Sequence, residues 1–242
     1  MENVEFKKWI QVQIKNNLIP ILNNSDFKKS RANFFVREKD GVVQFLQFEL
    51  KQSKVKVNGG ISPIYFPLQS LPYHGFDLSP AESRLCAMGI SVSPSVEGMP
   101  VITSEAMAKW KELEEIIRSP ILTQFEKISS LDSLMAIASY NVPDNDNWNG
   151  VKWYAQGVYE CLSGNFQKGI EQLRAAQRCK SGYLDYLHEV GCVFDAKKDA
   201  VDAIFSYIDL FCSSIPNANP SKDVFLEVYK DVCQQSKRWY NL

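Results

Sequence analysis

Asn33-Phe34-Phe35-Val36-Arg37-Glu38-Lys39-Asp40-Gly41-Val42-Val43-Gln44-Phe45-Leu46-Gln47-Phe48-Glu49-Leu50 consists of two β-rich runs joined by Asp-Gly. A two-residue hairpin turn needs positive φ at its central residues, which Asp and Gly tolerate. The stretch therefore predicts an antiparallel pair closing at Asp40-Gly41. Lys54-Val55-Lys56-Val57 alternates polar and apolar residues and predicts a third strand. Asn58-Gly59-Gly60 reads as a second tight turn or a bulge. Ile61 to Phe66 then reads as a fourth strand, confined to an edge because Pro63 lacks the ladder donor. In the second run Val42, Leu46, Phe48 and Leu50 share one face, and Val43 and Phe45 share the other. The second face therefore needs a cover, either an irregular loop or the helical half of the chain.

Ahead of the hairpin, residues 2–22 carry Phe6, Ile10, Ile14, Leu18 and Ile21 at three- or four-residue steps. That is the apolar stripe of a helix. Pro20 is expected to kink or end it, since its ring removes a donor and crowds the preceding turn. After the sheet, the stretch from Pro67 to Pro100 holds prolines at 67, 72, 80, 94 and 100. It reads as a long connection with a short helix near Ser79–Met88, and loops of this length are often functional. Thr103 or Ser104 caps a helix over Glu105–Arg118, which Ser119-Pro120 is expected to end. A second helix then runs to Ile128 and a third from Ser130 to Tyr140. The polar run Asn141-Val142-Pro143-Asp144-Asn145-Asp146-Asn147 reads as a linker.

The fold class is thus α+β. An amino-terminal helix packs on a three- to four-stranded antiparallel sheet in a domain spanning 1–140. An all-helical region with repeat-like helical hairpins spans 148–242.

Within that region a shift of 34 residues carries Gly157 onto Gly191, Gly169 onto Ala203, Leu173 onto Tyr207 and Ala176 onto Leu210. Such a period marks a helix-turn-helix solenoid. Gly157 and Gly169 lack bulk where two antiparallel helices would approach, Gly164 permits a left-handed turn, and Phe166 seals the corner. With Trp153, Ile170, Leu173 and Ala176, these residues resemble a tetratricopeptide repeat, and the likeness covers 151–212. The second unit, Leu184 to Leu210, keeps Gly191, Ala200, Ala203 and Tyr207 but has Lys198 in place of the turn glycine. Asp223 to Gln235 reads as a closing helix capped by Ser221. Fewer than three units rarely stand alone, so one face of this half should pack on the first half. The resemblance implies protein–protein contact.

The segments Leu18-Ile19-Pro20-Ile21-Leu22, Phe27-Lys28-Lys29, Asn33 to Arg37, Gly41 to Phe48 and Val57-Asn58-Gly59-Gly60-Ile61 resemble a bacterial family named domain of unknown function 4304. The likeness covers residues 5–130 and departs from the family pattern at Ser25-Asp26, where a glycine usually precedes the phenylalanine. It implies a fold and brings no activity.

With 242 residues, 45% hydrophobic, 23% charged and a net charge of −1, the composition is that of an ordinary globular chain. So small a net charge gives no global field to draw in nucleic acid or an anionic membrane. No apolar run approaches bilayer length, and the polar start Met1-Glu2-Asn3-Val4-Glu5-Phe6-Lys7-Lys8 lacks a signal-peptide core. Cys86, Cys161, Cys179, Cys192, Cys212 and Cys233 show no metal-type spacing and suit buried, reduced thiols. The expected setting is the cytoplasm, without a membrane partner.

Lys28, Lys29, Arg31, Arg37, Lys39, Lys51, Lys54 and Lys56 outnumber Glu38, Asp40 and Glu49 by five across the hairpin, with Phe34, Phe35, Phe45 and Phe48 interleaved. Exposed aromatics among such cations could stack bases, with Lys28, Lys29, Arg31, Arg37, Lys51, Lys54 and Lys56 as the contacts. The competing expectation is that the rings are core and the lysines guard a sheet edge. His74 sits in the long loop and could serve an enzyme whose lid is 67–100. His188 lies mid-helix without a motif partner. Asp144-Asn145-Asp146-Asn147 lacks the glycine and later glutamate of a calcium loop, and no phosphate-binding glycine motif occurs. The sequence therefore calls for no cofactor and no metal. It favours a non-catalytic, cytoplasmic interaction or scaffold protein with a protein partner, and disfavours nucleic acid.

Overall fold

Asp40 and Gly41 both take positive φ, 44° and 80°, and Lys39 pairs with Val42 across them, so the hairpin turn forms where Asp-Gly places it. The computed structural model describes residues 2–51, 54–66, 104–141, 149–179, 195–215 and 221–242. Four strands make one antiparallel sheet in sequence order: β1 (Lys28–Arg31), β2 (Phe34–Lys39), β3 (Val42–Lys51) and β4 (Lys54–Pro63). The fold is α+β, with a helix ahead of the sheet and a helical carboxy-terminal region after it.

The strand boundaries correct two expectations. Asn58-Gly59-Gly60 is neither a turn nor a bulge, because β4 passes straight through it and ends at Pro63. The fourth strand is instead β1, whose Lys-Lys-Ser-Arg sequence carries no apolar alternation to announce it. Gly59 has a packing role. A Cβ there would lie 3.1 Å from Leu46 Cδ2 and 3.5 Å from Phe125 Cζ, so a bare backbone lets a helix settle on the sheet.

The same holds for proline. The first helix is α1 (Glu2–Gln13), a π turn (Ile14–Leu18) and α2 (Ile19–Asn23), running past Pro20 rather than ending there. The Ile19 amide donates to Ile14 O, a widened turn, and Pro20 then begins a fresh α segment where its missing N–H leaves no gap. Pro120 repeats the arrangement. In α3 (Ser104–Ile116), a π turn (Ile117–Ile121) and α4 (Leu122–Lys127), the Leu122 amide donates to Ile117 O. The two helices expected on either side of Pro120 are one path.

Strand register sorts the side chains. Phe35, Gln44, Leu46 and Ile61 share one face, and Phe34, Val36, Phe45 and Gly60 the other. Both faces are buried. Phe125 of α4 lies against the first face, stacked on Phe27 at 5.7 Å. Trp9 and Trp110 meet edge-on at 6.1 Å, joining α1 to α3. The hairpin tip is seated by α5 (Leu131–Asn141), whose first amide donates to Asp40 O at 3.3 Å.

The second face belongs to the helical half: α6 (Asn149–Leu162), α7 (Phe166–Arg178), α8 (Asp195–Ser214) and α9 (Lys222–Tyr240). Tyr240 stacks on Phe34 at 6.4 Å, Phe34 stacks on Phe45, and Lys237 pairs with Glu38 at 2.8 Å. α9 is capped by Ser221, as the sequence implies, but continues beyond Gln235 to Tyr240. Two hydrogen bonds cross between the halves at Tyr65, whose hydroxyl donates to Ala155 O at 2.9 Å while Tyr154 Oη donates to Tyr65 O at 2.7 Å. Buried side chains from Ile10 to Tyr240 form one connected core.

Gly41 is the most exacting turn position. Besides its φ of 80°, a Cβ there would come within 2.9 Å of Leu131 Cδ1. Gly41→Ala is expected to lower stability by about 1–3 kcal/mol through left-handed strain, read as a drop in the urea midpoint at unchanged slope.

Candidate functional site

The α6–α7 hairpin closes through a tight glycine seam. Gly157 and Gly169 face one another across it. A Cβ on Gly157 would stand 2.9 Å from Gly169 O, and one on Gly169 would stand 2.6 Å from Gly157 O. Gly164 takes φ +95° in the turn between the helices, with open space around it. Phe166 begins α7 and meets Phe225 of α9 edge-on at 5.8 Å. Trp153 packs, partly buried, against the core. Tyr207 on α8 donates its hydroxyl to Gln235 Oε1 at 3.0 Å. Ala203 lies within α8, while Gly191, His188 and His74 fall outside the described residues, as do the 67–100 loop and the run Val142–Trp148. Among the described helices, α6 packs on α7, α7 on α8 and α8 on α9.

The basic hairpin divides. Lys28, Lys29 and Arg31 are exposed on or beside the short edge strand β1, where charge guards against edge-to-edge pairing. The side chains of Lys51, Lys54 and Lys56 are outside the described set, although their backbones pair in β3 and β4. Arg37 leaves the exposed group altogether, with its side chain 3% exposed. Phe34, Phe35, Phe45 and Phe48 are all core residues, so none of these rings is free for a base to stack on.

Arg37 instead anchors a buried polar node that the sequence reading missed. Its Nε donates to Gln44 Oε1 at 2.5 Å and its Nη1 to Ser25 O at 2.8 Å. The same Nη1 pairs with Glu126 Oε1 at 2.7 Å, and the guanidinium carbon lies 4.8 Å from the centre of the Phe27 ring. Gln44 sends its amide to Phe125 O and Ile128 O at 2.5 and 2.8 Å. Partners 81 and 84 residues apart leave no local signal. The one available hint was two polar residues, Arg37 and Gln44, facing the core side of the hairpin.

Protonation equilibria follow burial and pairing. The Lys39 ammonium, hydrogen-bonded to Glu126, and then Arg37 hold that carboxyl below its ordinary value. Lys168 and then Asn165 do the same for Glu160. Burial pushes the Cys161 thiol up to about 12 and those of Cys212 and Cys233 up to about 11, and raises the hydroxyls of Tyr65, Tyr154 and Tyr240. These thiols stay protonated and unreactive at neutral pH.

The signs fix a pH profile. A lowered carboxyl stabilises the fold above its unfolded value and loses that contribution as pH falls through the folded one. A raised thiol ionises first in the unfolded chain, so stability erodes above the ordinary value of 9 and up toward 12. Urea midpoints measured across pH are therefore expected to be flat from neutrality to about 9 and to fall on either side. Glu126→Gln should flatten the acid limb, and Cys161→Ala the alkaline one.

Among the described residues, no group of three or more His, Cys, Asp or Glu side chains could hold a metal ion, and no helix is long and apolar enough to cross a membrane. Set beside protein-family models, curated proteins and solved structures, the chain matches none.

Proposed function

We propose that this protein is a non-catalytic, cytoplasmic scaffold that binds another protein through its helical half. The observation that carries the reading is the ordered stacking of α6, α7, α8 and α9, with the glycine-to-glycine approach at its base. Helices stacked side by side bury one face against their neighbours and hold the remaining face as a fixed surface, which is how helical repeats present binding sites. The free, burial-raised thiols of Cys161, Cys212 and Cys233 suit a reducing compartment.

The test is capture from native lysate with the full chain, beside Glu171→Arg and Leu210→Asp, two exposed positions on α7 and α8. The expected result is a stoichiometric partner, or self-association, weakened by these substitutions without change in the circular dichroism spectrum. Recovery of no stoichiometric partner, or of one indifferent to both substitutions, overturns the reading.

A further inference from the structure

We draw no further inference here: the strongest candidate, the surface patch where α1 meets α3, with Val12 and Met107 each 49% exposed one turn from the paired Trp9 and Trp110, has nothing in the structure to show what covers it.

Discussion

Gly169→Ala is expected to destabilise the protein by about 3 kcal/mol or more, at or above the upper end of the range for overpacking. The sign is the informative part. At an unencumbered helical position the same change would stabilise by about 1 kcal/mol, because alanine is the better helix former. Here the added Cβ meets Gly157 O at 2.6 Å and Cys161 N at 2.8 Å. Both are backbone atoms, so neither can rotate aside, and α6 and α7 must separate along their length. Gly157→Ala meets Gly169 O and Leu173 and should behave alike. Gly164→Ala is the contrast, since nothing lies near its Cβ and only its positive φ is strained, a penalty of about 1–3 kcal/mol. Urea unfolding of the three variants settles the matter. A stabilised Gly169→Ala would remove the close seam, and with it the basis for the stacked array.

Gln44→Leu is expected to lower stability by about 3–5 kcal/mol despite leaving a side chain of similar size and greater hydrophobicity. Gln44 is fully buried and makes three hydrogen bonds, accepting from Arg37 and donating to Phe125 O and Ile128 O. Leucine strands the two carbonyls at the end of α4 and takes a third acceptor from a cation that already has idle donors. Double replacement, Gln44→Leu with Arg37→Met, should recover part of the loss, because the unpaired buried charge goes with it. A loss for the double variant equal to the sum of the singles would show that the two residues act independently and would refute the node.

Asp40-Gly41, Ser221 and the stripe Ile10, Ile14 and Leu18 were legible because each rule behind them is local: a turn needs positive φ, a helix needs a cap, and a buried face repeats every three or four residues. Of the two outcomes expected at Pro20, a kink or an end, the end does not occur, and Pro120 does not end its helix either. Local rules forbid proline in a regular α-turn but do not foresee that a π turn beside Pro20 or Pro120 relieves the clash. β1 was invisible because a four-residue edge strand of Lys-Lys-Ser-Arg carries no hydrophobic pattern; its partner strand selects it.

Arg37 shows the division most clearly. By sequence it was one of eight cations across the hairpin, set apart only by sharing the core side with Gln44. Its burial follows from strand register, which turns it to the face that α4 covers, and Gln44, Ser25 and Glu126 then converge on it. The sequence by itself determined the hairpin, the class of fold and the small residues between α6 and α7. The tertiary structure alone decided which charges are buried and which glycines touch. Local conformation depends on neighbours along the chain, whereas desolvation and close approach depend on atoms brought together from distant parts of it.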